Sequence, residues 1–373
     1  MTLVSICIPI RQADAALAST VRRMLGNRRT DFEILIGDFT DGKLADLQLL
    51  ADELRDPRLR VVVGAAEHGL TVSAAWNETV AEARGAWISI IGAADYIDPD
   101  VGAVIEATIK RVPDADCLSW SRARYVPPAL RQGREIAVIG TGSRLLLPEQ
   151  KDAMRNLFYW DGASDRPDCP FGAWHGAVRR DLLERIREAF SGVWFEQAAA
   201  DIDSACKTVT LARRMMFWER PLSVQGAAPT PPAAAGSGPP FADFPFQASI
   251  GPAAAAALGI EAFKRRYGIE LQGWEDNFLK ACVKDCETAA TGEQFHAKKT
   301  AYAEAILAWR GKRALAAFKP EFRRKPKLTR FQGVRDGHLH LDMAMDHTET
   351  AAEFYRLIDA LLFPVHLLDD KLA

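Results

Sequence analysis

The chain has 373 residues, enough for two domains or for one large domain with an appendage. Its 48% hydrophobic and 26% charged residues suit a soluble globular protein, and a net charge of −2 offers no footing for a nucleic-acid partner. No apolar run approaches the ~20 residues of a bilayer span, the opening Met1 to Pro9 reads as a strand and not a signal peptide, and six scattered cysteines read as reduced thiols in a cytoplasmic protein.

Leu3 to Ile10 is a short β-rich apolar run, fit for a strand buried on both faces. The spacing predicts a helix over about Ala15 to Leu25, capped by Asp14, with Leu17, Val21, Met24 and Leu25 on one face. Phe32 to Gly37 reads as a second strand, ending at Asp38. Leu44 to Leu54, with leucines at 44, 47, 50 and 54, reads as a helix, and Leu59 to Val63 as a third strand. A helix capped by Ser73 runs to about Arg84. Ala86 to Ile91 is the fourth strand; it leads into an acidic turn with Asp95, Asp98 and Asp100, and Pro99 opens a helix to about Val112. Cys117 to Tyr125 is a further strand. This alternation predicts an α/β fold: a mostly parallel sheet flanked by helices.

In an open α/β sheet, ligands bind at the carboxyl ends of the strands. A carboxylate there, such as Asp95, can hold a divalent cation against a diphosphate, which suggests a nucleotide-linked substrate. Neither a Gly-x-Gly-x-x-Gly fingerprint nor a P-loop follows the first strand.

Four segments, in order, resemble the family 2 glycosyltransferases over Val4 to about Leu222. They are Val4-Ser-Ile-Cys-Ile-Pro-Ile, Phe32-Glu-Ile-Leu-Ile-Gly-Asp-Phe-Thr-Asp-Gly42, the stretch from His68-Gly-Leu through Ala75-Trp-Asn77 and Ala83-Arg-Gly85 to Asp95-Tyr-Ile-Asp-Pro-Asp, and Val178 to Ile186 followed by Asp201-Ile-Asp203. The family often has Asp-x-Asp-Asp where this chain has Gly92-Ala93-Ala94-Asp95, and Glu-Asp where it has Ala200-Asp201.

The resemblance implies a GT-A, Rossmann-like sheet and inverting transfer of a sugar from a nucleotide-diphosphate donor to an acceptor hydroxyl, in surface-polysaccharide or related glycan assembly. It places Pro9, Ile10, Arg11, Asp38 and Asn77 at the donor, with Arg11 where an aromatic often stacks on the base. Asp95 becomes the ligand of a Mg²⁺ or Mn²⁺ ion that offsets charge on the leaving diphosphate. Asp201 becomes the general base, or Asp203 if the register shifts by two; the competing role for Asp201 is capping the helix from Ile202 to about Arg213. Trp174 and His175, in the aromatic Phe171-Gly-Ala-Trp-His-Gly176, would line a glycan or lipid-linked acceptor, against the alternative of core aromatics. Two other readings stand beside this one. The reduced 92–95 motif suits a catalytically silent nucleotide-sugar-binding or scaffolding module. A nucleotidyltransferase would want glycines that Ile10-Arg11-Gln12-Ala13 lacks.

These features divide the chain into a transferase domain over 1–225, a Pro/Gly/Ala-rich linker over 226–250 and a mainly helical extension over 251–373. Ala253 to Tyr267, Trp274 to Thr288, Glu293 to Phe318 and Thr348 to Leu361 read as helices. The extension suits packing on the transferase domain, homo-oligomerisation or peripheral contact with the inner face of a membrane. His338-Leu-His340-Leu-Asp342 reads as an amphipathic strand before a zinc site, Cys282 and Cys286 as buried thiols, and the basic run Lys319 to Lys327 as a solvated loop before a lipid contact.

Overall fold

The computed structural model describes residues 2–12, 14–40, 50–64, 70–131, 133–227, 240–322 and 331–367. The N-terminal alternation is β1 (Val4–Ile10), α1 (Ala16–Leu25), β2 (Phe32–Asp38), β3 (Leu59–Val63), α2 (Val72–Ala81) and β4 (Trp87–Ile90). β3, β2, β1 and β4 lie parallel in that order, with Ile10 opposite Asp38 and Cys7 opposite Ile90. The loops that begin at Arg11, Phe39 and Ile91 therefore leave from one edge of the sheet, the carboxyl edge.

The remainder mixes directions. It runs β5 (Tyr96–Ile97), α3 (Val101–Arg111), β6 (Cys117–Tyr125), β7 (Ile136–Gly140), β8 (Leu145–Leu146), α4 (Gln150–Phe158), β9 (Gly176–Arg179), α5 (Arg180–Ala189), α6 (Ala200–Leu211) and β10 (Met215–Gly226). β9 sits antiparallel between β4 and β6, while β10 runs parallel to β6, takes β5 along its far side and also pairs β8. Nine strands result. The β6–β10 register breaks between Trp218 and Ser223, around Pro221, whose missing N–H cannot serve a ladder.

The C-terminal part contributes α7 (Pro252–Arg266), α8 (Glu275–Glu287), α9 (Gly292–Ala317, broken at Gly311, φ 72°), β11 (Gly333–Arg335), β12 (His338–Asp342) and α10 (Ala351–Leu361). It packs on both faces of the main sheet. Alternation along β1 sends Val4, Ile6, Ile8 and Ile10 into one core, shared with α1, α3 and α10, and Cys7 into the other, shared with α2, α5, α6 and α7 to α9. Buried Asp285 ties three helices together: it accepts from Ala253 N (3.0 Å), Tyr302 Oη (2.5 Å) and Lys298 Nζ (2.6 Å). Fully buried Arg220 of β10 holds α10, donating to Asp359 Oδ1 (2.6 Å), Phe363 O (2.6 Å) and Tyr355 Oη (2.9 Å). β12 pairs antiparallel with β11 and β7 in a second, small sheet.

Several expectations change. Thr71, not Ser73, caps α2, accepting from Ala74 N at 3.1 Å; Ser73 is buried in its first turn and donates to the Gln197 carbonyl. The segment Val178 to Ile186 divides between β9 and α5, which starts at Arg180. Of the predicted helix over 44–54, residues 44–49 lie outside the described residues, and Glu53–Arg55 forms a short 3₁₀ turn. His68 and Gly69, linker residues 228–239 and the basic residues 323–327 also lie outside them. On β12, Leu339 and Leu341 turn inward while His338 faces out, and Cys282 and Cys286 are buried free thiols.

Candidate active site

A cleft of about 860 Å³ opens at the carboxyl edge between the 92–95 turn, the ends of β6 and β10, and β7. That is within the range of small-molecule sites. Beside it lies a smaller cavity of about 70 Å³, walled by Asp201, Ile202, Arg166 and the 167–172 segment. Trp174 and Arg122 line both.

Asp95 stands at the end of the turn that leaves β4, and the fold holds it from several sides. Its Oδ2 accepts from Gly92 N (2.7 Å) and from His175 Nε2 (3.0 Å), and its Oδ1 from Gly226 N (2.8 Å). Its own carbonyl accepts from Thr20 Oγ1 at 2.9 Å. The pairing of β5 with β10 brings Gly226 close enough; a Cβ there would lie 2.1 Å from the Ala94 carbonyl oxygen, so glycine is required. His175 arrives by a short parallel bridge to the end of β4, with His175 N donating to Ile90 O at 3.0 Å and Ala173 O accepting from Ile90 N at 2.7 Å. Its backbone is left-handed (φ 49°), an uncommon conformation for a side chain of this size. Ser223 Oγ accepts from Trp120 Nε1 (2.9 Å), which leaves its proton for His175 Nδ1 (2.9 Å). The ring proton then belongs on Nε2, facing Asp95. His175 is 1% exposed, so it positions Asp95 from behind and does not line the cleft.

Asp201 contrasts with this. It is half-buried in the first turn of α6, where the helix dipole favours a carboxylate, and it faces the smaller cavity. Among the described residues it makes no hydrogen bond or ion pair. Asp203 lies on the inner side of the same helix, fully buried, accepting from Glu196 N at 2.8 Å and paired with Lys207 at 3.1 Å. Burial pushes its carboxyl above the usual range. Lys207 also pairs with Glu196 at 3.1 Å, so Asp203 belongs to an internal ion cluster and not to the cleft.

Asn77 is likewise committed inside the protein. Its Nδ2 donates to Ser73 O (2.8 Å) and Phe195 O (2.7 Å), and its Oδ1 accepts from Trp194 N and Phe195 N, each at 3.1 Å. With its donors and acceptor used, it fastens the 194–195 loop to α2 and has nothing left for a donor molecule. Asp38, 2% exposed, closes a turn: Oδ1 accepts from Thr40 N (2.9 Å) and Thr40 Oγ1 (2.7 Å). Pro9 is half-buried and Ile10 buried at the end of β1; Arg11 is exposed and donates to Leu70 O at 3.0 Å. Trp174 is half-buried and stacks on Trp76 with ring centroids 5.5 Å apart at 15°.

The residues that sequence reasoning missed are arginines. Arg122 and Arg124 end β6, alternating with buried Ala123 and Tyr125, so both point into the cleft. Arg166 joins Arg122 at the smaller cavity. Among the described residues none of the three makes a hydrogen bond or ion pair. Burial, then neighbouring Arg166, hold the Arg122 guanidinium below its usual pKa, while Asp201 and Asp95 act the other way. Arg122 reaches solvent through the cleft yet is crowded by protein on its other sides. The pattern Arg-Ala-Arg on a strand end was the available signal.

The donor set does not fit a cation held by the protein. Asp95 is 3% exposed and already accepts three hydrogen bonds. Among the described residues no three His, Cys, Asp or Glu side chains group to hold a metal ion. Arg122 and Arg124, in the same cleft, oppose a further positive charge.

The model of the family described as glycosyl transferase family 2 matches residues 5–186. Residues 5–186 are a family 2 glycosyltransferase domain. Family 2 glycosyltransferases transfer sugars from nucleotide-sugar donors and commonly use divalent cations. Asp95, Arg122, Arg166, Trp174 and His175 lie within the matched span, and Asp201 beyond it. No curated protein matches the chain. Solved structures of TarS from S. aureus are similar in fold. TarS 1–349 in complex with UDP-GlcNAc is 13% identical, with a TM-score of 0.50 over 85% of this chain and 84% of that one. TarS 1–349 in complex with UDP is 12% identical, with a TM-score of 0.45 over 94% and 99%. The sheet is thus of the GT-A kind. Among the described residues no helix is long and apolar enough to cross a membrane.

Proposed function

We propose that this glycosyltransferase moves a sugar, with inversion, from a nucleoside-diphosphate donor to an acceptor hydroxyl in the assembly of a cell-surface polysaccharide. The observation that carries the reading is the placement of Asp201. It is a carboxylate with open lone pairs, facing a cavity that shares Trp174 and Arg122 with the larger cleft. In this reading the nucleotide lies along the ends of β1 and β2, against Pro9, Ile10, Arg11 and Asp38. The sugar and diphosphate enter the larger cleft beside the Asp95 turn, and Trp174 offers an apolar face to a sugar ring.

The acceptor hydroxyl gives its proton to Asp201 as its oxygen attacks the anomeric carbon. The bond from that carbon to the diphosphate oxygen breaks, and its electron pair leaves with the nucleoside diphosphate. Asp201 later returns the proton to water. General-base assistance of this kind is worth ~10²–10⁴-fold. No step is routed through a metal ion. A cation carried in by the diphosphate would meet Asp95 through its Oδ1 alone, since Oδ2 already has two donors. UDP-GlcNAc, bound by the TarS structure of similar fold, is the first donor to try.

Titration of the protein with UDP, GDP and dTDP, followed by assays of the matching UDP-, GDP- and dTDP-sugars, tests the reading. One nucleoside diphosphate should bind. Sugar release or transfer from its sugar conjugate should disappear in Asp201→Asn while binding remains. Pyrophosphate release from a nucleoside triphosphate would instead point to a nucleotidyltransferase.

A further inference from the structure

Arg122, Arg124 and Arg166 are conspicuous for what they lack. Away from the cleft, several arginines have carboxylate partners: Arg144 with Glu219, Arg185 with Asp116, Arg220 with Asp359. At the cleft three guanidinium groups converge on two joined cavities with no protein partner among the described residues. Such a group gains no hydrogen bond from folding. Its fork of N–H donors matches the oxygens of a phosphate or carboxylate.

We propose that Arg122, Arg124 and Arg166 form a phosphate subsite between Asp95 and Asp201, where they bind the donor's diphosphate in place of a metal ion. The inference rests on the transferase reading and deepens it. Three features of the site agree. The turn that in the family often reads Asp-x-Asp-Asp has Gly92 and Ala94 where the first two carboxylates would stand, and keeps only Asp95. Asp95 already accepts three protein hydrogen bonds, which hold the turn and leave little of it for a cation. Arg122 lines both the cavity that Asp95 lines and the one that Asp201 lines, the span the sugar–diphosphate bond would occupy in the transferase reading. As that bond breaks, its electron pair moves onto the leaving oxygen of the diphosphate, and the guanidinium groups meet the charge where it develops. The same donors would also suit a phosphate carried by the acceptor.

Calorimetry on the full chain decides between these cases. UDP, GDP and dTDP, their monophosphates, and glycerol 3-phosphate are titrated in EDTA and again with Mn²⁺, against wild type, Arg122→Gln, Arg124→Gln and Arg166→Gln. A melting curve accompanies each variant. One diphosphate should bind in EDTA and tighten less than ~3-fold with Mn²⁺, and Arg122→Gln should weaken it ~10–100-fold while leaving the monophosphate within ~3-fold. The melting midpoint of Arg122→Gln should hold or rise, which a structural arginine would not allow. Diphosphate binding that EDTA abolishes, or that none of the variants alters, would overturn the inference and leave the transferase reading intact. Glycerol 3-phosphate binding that the variants abolish while diphosphate binding survives would give the subsite to the acceptor and overturn the donor assignment. No binding by any of the three diphosphates in either buffer would overturn the transferase reading together with this inference.

Discussion

Asp95 and Asp201 stand at two sides of one pair of cavities, in opposite conditions. Asp95 is 3% exposed, and two backbone N–H groups and a histidine occupy three of its acceptor positions. Asp201 is half-buried and, among the described residues, has no donor at all. A carboxylate held by several protein donors shapes a turn; one with no protein donor is available to a proton or a ligand. The same division separates Asn77 and Asp203, consumed by the fold, from Arg122, Arg124 and Arg166, left over by it. Unpartnered polar groups around a cleft thus mark the chemistry better than an acidic residue in a familiar place.

Asp201→Asn is the strongest way to break this comparison. Transfer should fall ~10²–10⁴-fold, with donor affinity and melting temperature unchanged because no hydrogen bond is lost; a fall in donor affinity in calorimetry would make Asp201 a binding group instead. His175→Ala acts on the opposite side. It removes a donor from Asp95 and leaves buried Ser223 without its acceptor, so urea unfolding should report a loss of ~2–4 kcal/mol. A neutral result would show that the clamp is dispensable.

Asp98→Asn sharpens the comparison by way of pH. Burial, then the neighbouring Asp100, push the Asp98 carboxyl from 3.8 up to about 6. Because its pKa is raised in the fold, the protonated form is the stabilised one, and the native state loses stability as pH rises from about 4 through 6. Asparagine keeps the acceptor for Asp100 N, which lies 3.0 Å from Asp98 Oδ1. The variant should therefore be more stable than wild type by ~2 kcal/mol at about pH 8 and no more stable at about pH 4. Melting temperatures across that range would show it. The smallest effect belongs to Arg11→Ala. Losing one exposed hydrogen bond to Leu70 should cost under ~1 kcal/mol, and a drop in nucleotide affinity beyond that in calorimetry would favour base stacking.

The first half of the sheet was legible because its strands are buried on both faces. Val4–Ile10 and Phe32–Asp38 carry continuous apolar runs, and helical periodicity separates them. β10 was harder to see. Pro221 interrupts it, and a strand that changes register around a proline does not show a clean period. As candidates, Asp95 and Asp201 were legible from their places at a strand end and a helix start. Their division of labour was not, because it depends on Gly226 and His175, distant in sequence, meeting Asp95. Asn77 could not be told from a ligand until its four partners were in view.

The contacts of Arg220 also govern the order in which the chain can be finished. It emerges during synthesis 139 residues before Asp359 and 143 before Phe363. Until those partners arrive, β10 carries a cation into a position that is 0% exposed in the finished fold, and burying it unpaired is prohibitive. A chain that stops short of α10 should therefore leave Arg220 unpaired and one core half-covered. The cleft, whose β6 and β10 walls belong to that same outer sheet, thus depends on a helix far along the chain.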